Sequence, residues 1–155
     1  MGGTIRQSKN NIGRKMRILI MGLPGSGKTS LAEELVIQLE QIGESVLWLN
    51  ADHIRRLYND WDFSHEGRLR QAERMKKLSD VSEDNIVISD FVAPLPEMRD
   101  IYGANITIWV DTITEGQFED TNKLFVPPEK YDFRVTEQDA KRWADIIIHG
   151  INIPS

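Results

Sequence analysis

The sequence predicts an α/β domain, a parallel sheet of about five strands with helices on both faces. Three observations predict it. Short apolar, β-leaning runs alternate with helically spaced segments along most of the chain. Residues 16–39, MRILIMGLPGSGKTSLAEELVIQL, place a strand, a glycine-rich turn and a helix in that order. Polar residues able to do chemistry follow directly after strands, at the edge where open α/β sheets bind ligands.

Each element has its own reason. Ile18 to Met21 is a buried-strand run within a strand over about 16–21, and Leu31, Leu35 and Leu39 give helical spacing over about 28–41, ended by Gly43. Ser45–Asn50 (SVLWLN) is a second strand, and Ala51–Asn59 a short helix interrupted by Asp60-Trp61-Asp62-Phe63. Ser64 caps a longer helix over about 65–80, with Leu69, Ala72, Met75 and Leu78 at three-residue steps. Asn85–Ser89 is a third strand, and Pro94 and Pro96 start a short helix that runs to Tyr102. Asn105–Val110 (NITIWV) is a fourth strand. Residues 112–128 hold few apolar side chains and end in Pro127-Pro128, so they read as a loop or lid. Tyr131–Val135 is a short fifth strand. Thr136 is expected to cap a last helix over Glu137–Asp145, with Ile146, Ile147 and Ile148 as an apolar tail.

The turn Gly22-Leu23-Pro24-Gly25-Ser26-Gly27-Lys28-Thr29 fits G-x-x-x-x-G-K-[ST] without a mismatch. Glycines let successive backbone N–H groups converge on one oxyanion, and the helix N-terminus adds roughly half a positive charge. Lys28 is placed to reach β- and γ-phosphates, Thr29 to put its hydroxyl on Mg²⁺, and Ser30 to continue the cradle into the helix. This P-loop is therefore expected to bind a nucleoside triphosphate.

Composition narrows the class. With 155 residues the chain is one domain, and its 40% apolar and 28% charged content is that of a soluble globule. The absence of cysteine excludes disulfides and thiolate metal sites and suits a reducing cytoplasm. No run approaches the roughly 20 apolar residues of a membrane span, so a cytoplasmic protein without membrane contact is expected. Met1-Gly2 lacks the later Ser or Thr of a myristoylation signal, since position 6 is Arg. His53, His65 and His149 are too scattered to suggest a metal site. Residues 1–17 carry +5 with no acid, which leaves −10 on the other 138 for the total of −5. Residues 1–15 read as a flexible basic leader and 16–155 as the folded domain; the acidic body argues against nucleic acid as the main substrate.

A cradle of this kind serves ATPases, GTPases and small-molecule kinases. The Asn-Lys-x-Asp guanine reader of GTPases is incomplete, because Leu124 and Phe125 follow Asn122-Lys123. A compact five-stranded body fits a single-domain P-loop kinase fold acting on a small-molecule substrate. Asp52, just after the second strand, faces an acceptor hydroxyl across the cleft; the plainer reading is that it caps the following helix. Arg55, one turn on, can fork onto a phosphate or sulfate, or form a surface ion pair. Phe63 is suited to stacking on a purine, or to filling the core. Arg68 and Gln71, three residues apart, can point into the same cleft.

The series GLPGSGKTSLA, LNADHIR, DFSHEGR, DFVAPLPEMR and WVD resembles the adenylylsulfate kinase family in order and spacing over about residues 16–111. The resemblance implies transfer of the γ-phosphoryl of ATP to the 3′-hydroxyl of adenosine 5′-phosphosulfate, with Mg²⁺, by a protein that is commonly a homodimer. It implies Asp52 at the acceptor, Arg55, Arg68 and Gln71 on the sulfonucleotide, and Phe63 and Phe91 around its adenine, beside Val92. Two departures stand out. Ala93 replaces a serine that the family sometimes phosphorylates, and Asp90 replaces another serine, where related kinases keep an acid that organises Mg²⁺. The lid is also poor in bases: Lys123 is the sole one in residues 112–128. Either the enzyme is pared down, or its acceptor is another nucleotide, a nucleic-acid 5′-end or a sugar. A nucleotide-binding module without turnover is the third reading, against which Lys28, Thr29 and Asp52 stand.

Overall fold

The structure, a computed structural model, describes residues 15–116 and 118–151. Its elements, in chain order, are β1 (Met16–Met21), α1 (Lys28–Gln41), β2 (Val46–Asn50), α2 (Ala51–Tyr58), α3 (His65–Val81), β3 (Ile86–Asp90), α4 (Pro96–Tyr102), β4 (Ile106–Val110), α5 (Glu119–Leu124), β5 (Phe133–Val135) and α6 (Ala140–Gly150). The five strands form one parallel sheet in the order β2-β3-β1-β4-β5. The expected α/β fold is the one observed.

Strand alternation splits the core into two layers. Ile18 and Ile20 of β1 pack with Leu31, Leu35 and Leu39 of α1 and Ile147 of α6. Leu19 and Met21 face the other way, onto Ala72 and Met75 of α3 and Met98 and Tyr102 of α4. The central strand is thus buried on both faces, which explains its continuous apolar run. Register then aligns the carboxyl ends: Asn50 of β2 pairs with Asp90 of β3, and Asp90 in turn with Ile20 of β1. The strand order reverses around β1, so a crevice opens where the phosphate loop leaves it.

Three local readings are corrected. The 112–128 segment is not all loop, because Glu119–Leu124 forms α5. Its side chains give little apolar signal, and the turn before it is closed from outside the helix: Asn122 accepts from Gly116 N at 2.8 Å and donates to Gly116 O at 3.0 Å. The last helix begins at Ala140 rather than Glu137, since Asp139, not Thr136, accepts from the first-turn N–H of Arg142. It also runs on to Gly150, so Ile146 to Ile148 are helical and Ile147 is fully buried. Of the basic leader, residues 1–14 lie outside the described residues. Lys15 belongs to the fold: its ammonium donates to the carbonyls of Ser79, Asp80 and Ser82 at the end of α3. No described helix is long and apolar enough to cross a membrane.

Candidate active site

The phosphate loop takes its shape from glycine. Gly22 has φ +153°, and a Cβ there would stand 2.4 Å from the Val110 carbonyl oxygen, so β1 and β4 ends can approach only around glycine. Gly27 caps α1 in the left-handed region with no side chain bonded to the first turn. The leading N–H groups of α1 are thereby left for an anion. Lys28 is buried and donates to Leu23 O at 3.1 Å. Burial pushes its ammonium below the usual lysine range, while Asp90 first and Asp52 second draw it back up. Thr29 and Ser30 are exposed at the mouth of the loop.

Asp90, the last residue of β3, is a buried carboxylate with two donors from β2. Trp48 Nε1 donates to Oδ2 at 2.7 Å, and Asn50 Nδ2 reaches Oδ2 at 3.1 Å and Oδ1 at 3.3 Å. Burial raises its pKa, and these hydrogen bonds followed by Lys28 oppose the rise. Asp52 lies in the first turn of α2 and is exposed. It is not the cap: Asn50 Oδ1 accepts from His53 N at 3.0 Å. The sequence-predicted Lys28, Asp52 and Asp90 therefore come together as one charged group.

A second group forms between α2 and α3. Arg55 is only 4% exposed and donates to the carbonyls of Asp60 and Asp62 at 3.0 and 3.2 Å. Arg68, 8% exposed, donates through Nε to Phe63 O at 2.9 Å. Burial is the main cause pulling both guanidinium pKa values down. Their carbons lie 4.3 and 5.5 Å from the Phe63 ring centroid. Neither forms an ion pair with a carboxylate among the described residues, whereas neighbouring Arg70 and Arg74 do. Buried arginines kept from carboxylates are a place for an outside anion. Phe63 is 50% exposed and so is a surface ring rather than core filler. Gln71 donates to Ala51 O at 3.1 Å.

Phe91 has a different setting. It is 4% exposed and packs edge-on against Tyr102, with centroids 5.8 Å apart, in the layer under α3 and α4. Val92 is half-buried beside it. Lys123 pairs with Glu119 at 3.5 Å on exposed α5, and neither hydrogen bond nor ion pair joins it to Lys28, Asp52 or Asp90. The lid lies against the site at both ends. A Cβ on Gly116 would touch Pro24 at 3.1 Å. At the other end Val126 N donates to Pro94 O at 2.8 Å, and Arg99 donates to the Ala93, Pro94 and Val126 carbonyls. Asp120 of α5 is the charge that most supports Arg68 against burial.

Sequence reasoning missed several parts. Trp48 and Asn50 are donors to Asp90 across two strands; only the side-by-side register brings them there. Gln138 Nε2 donates to Gly25 O and to Thr112 Oγ1, both at 3.3 Å, at a cleft of about 210 Å³ beside Gly27 and Ser30. A larger open groove of about 1030 Å³ between α1 and α6 contains none of the expected site residues.

An adenylylsulphate kinase model matches residues 14–115 of the chain. This chain belongs to the adenylylsulphate kinase family. An adenylyl-sulfate kinase of Bacillus velezensis is 32% identical over 136 residues, covering 85% of this chain and 61% of that protein. A probable adenylyl-sulfate kinase of Bacillus subtilis is 36% identical over 97 residues, 60% of this chain and 48% of the relative. The chain thus spans about half to three fifths of these two curated adenylyl-sulfate kinases. Among solved structures, the Mycobacterium tuberculosis APS kinase CysC in complex with AMPPNP and APS has a TM-score of 0.76 at 20% identity, covering 90% of this chain and 99% of that one. A shikimate kinase from Acinetobacter baumannii has a TM-score of 0.60 at 19% identity, covering 94% and 97%. At such identities these two likenesses establish the P-loop kinase fold.

Proposed function

We propose that the chain is an ATP-dependent kinase that phosphorylates the 3′-hydroxyl of adenosine 5′-phosphosulfate. The observation that carries this is the Arg55–Phe63–Arg68 group: two buried guanidiniums without carboxylate partners beside a half-exposed ring, at the same sheet edge as Lys28. An aromatic base and a mixed phosphate–sulfate anion match that surface in both shape and charge.

The triphosphate is assigned to the backbone and side chains of Gly22 to Ser30, with the nucleoside at the cleft beside Gln138. The acceptor hydroxyl is assigned to Asp52, which accepts its proton as the oxygen bonds to the γ-phosphorus and the bond to the β,γ-bridging oxygen breaks, releasing ADP. Lys28 meets the charge on the transferring oxygens. No cluster of three acidic, His or Cys ligands exists among the described residues, so a cation here needs the nucleotide's own oxygens. That donor set fits Mg²⁺, which takes few protein ligands and keeps waters; Thr29 would hold it directly and Asp90 through water. Bound there, Mg²⁺ would neutralise phosphate charge. Phe63 offers the open ring for adenine, Gln71 its amide anchored between Ala51 and Arg74, and Phe91 and Val92 the floor; Lys123 is assigned to the lid side.

Steady ADP release from ATP, dependent on adenosine 5′-phosphosulfate, is expected in a coupled assay. A folded protein with no acceleration over background hydrolysis would falsify the assignment. One observation favours a second acceptor: the segment expected to be a basic lid instead brings an acid, Asp120, whose charge opposes the effect of burial on Arg68, so a panel of nucleotides, 5′-hydroxyl oligonucleotides and sugars belongs in the same assay. Sedimentation at several concentrations tests the homodimer that the family resemblance implies.

A further inference from the structure

We infer that Asp60 is a positioning residue of the acceptor site, the hub through which Arg55, Phe63 and Gln71 are held; this rests on the reading that those residues, with Arg68, bind the acceptor. Residues between α2 and α3 have no regular secondary structure to fix them, so side-chain contacts must do so. Asp60 supplies most of them. Its Oδ2 accepts from Arg70 Nε at 2.9 Å and Arg74 Nη2 at 2.8 Å, and its Oδ1 accepts from Arg70 Nη2 at 3.1 Å and Asp62 N at 3.2 Å. Its backbone carbonyl meanwhile accepts from Arg55.

Each contact leads to a proposed acceptor group. Fixing Asp60 and Asp62 fixes two carbonyls that aim Arg55, and Arg55 stacks on Phe63 at 4.3 Å. Arg74, forked between Asp60 and Gln71, donates to Gln71 Oε1 at 2.9 Å while lying 4.4 Å from the Tyr58 ring. With Oε1 so occupied and Nε2 donating to Ala51 O and, weakly, to Met75 Sδ at 4.0 Å, both ends of the Gln71 amide are held in place. Charge balance points the same way. Arg55 feels the like charges of Arg68 and Arg74, and Asp60 is the strongest opposing charge on it. Because that carboxylate is bonded to Arg70 and Arg74 rather than to Arg55 or Arg68, it balances the cluster without occupying those two guanidiniums.

The test compares wild type, Asp60→Asn, Asp60→Glu and Arg74→Lys in ADP-release kinetics and in calorimetric titration with adenosine 5′-phosphosulfate and, separately, ATP. Asp60→Asn is expected to raise the acceptor KM roughly ten- to hundred-fold, the weight of a charge-assisted contact, with ATP binding near wild type. Asp60→Glu, which keeps the charge, should recover part of that loss. A merely structural role would instead weaken both substrates together or leave both unchanged. If Asp60→Asn does not fold, Arg74→Lys, which keeps charge but loses the fork, carries the comparison and should raise the same KM. Unchanged acceptor KM in the folded variants overturns the inference and leaves the acceptor site standing. No binding of adenosine 5′-phosphosulfate by wild type overturns the site reading and the inference with it.

Discussion

Trp48 donates its indole N–H to Asp90 Oδ2 at 2.7 Å, bridging the ends of β2 and β3. With Asn50 this keeps a buried carboxylate oriented beside Lys28. Trp48→Phe removes the donor and keeps an aromatic ring. It should lower stability by about 1–3 kcal/mol, the penalty for an under-bonded buried polar group, read as a lower urea midpoint at constant slope. An unchanged midpoint would mean that Asp90 does not need the indole.

Lys28→Ala should reduce turnover at least about a hundred-fold, because a charge aimed at the transferring group is worth several kcal/mol of barrier. Single-turnover kinetics with saturating ATP measure this directly. A variant at wild-type rate would refute the role given to Lys28.

Asp52→Asn should lower kcat by about 10²- to 10⁴-fold with ATP affinity little altered. The separation is clean because Asn50, not Asp52, caps α2, so the helix start survives the substitution. Loss of ATP binding would recast Asp52 as structural.

Gly67→Ala inverts an ordinary rule. In an open helix the change favours folding by up to about 1 kcal/mol. Here the new Cβ would stand 2.2 Å from the Asp62 carbonyl oxygen, so the Asp62–Phe63 turn must shift. Lower thermal stability and weaker acceptor binding are expected together; a stabilised variant would contradict the packing.

The Asp60–Arg70–Asp62 network has a pH signature. Arg70 and Arg74 hold the Asp60 carboxyl well below the usual range, and hydrogen bonds from Ser64, followed by Arg70, hold Asp62 at about 2. Carboxyls depressed in the folded state stabilise it above their unfolded values near 3.8, and that stability is lost as pH falls through the folded ones. The stability gap between wild type and Asp60→Asn should therefore be full near neutrality and narrow between about pH 4 and pH 2. A gap of constant size across that window would show that the network is not ionic in origin.

Local signals carried the fold reading. The phosphate loop was legible because its glycines, Lys28 and Thr29 are contiguous, and Ser64 because it caps within three residues, accepting from Gly67 N. Helix α5 was not, since it relies on Asn122 closing onto Gly116 rather than on apolar spacing. Nor was Trp48, whose partner lies 42 residues away and meets it only through strand register. Asp60 and Arg74 belong to no motif of the sequence; the α2–α3 packing makes them neighbours of the site.

The span between Gly116 and Val126 is moored on two shores, at Pro24 on one strand exit and at Pro94 and Arg99 on the next. Those exits belong to adjacent strands, β1 and β3. Both exits carry residues of the candidate site, the phosphate loop on one and Asp90 on the other, so the two ends of one short segment rest beside each of them.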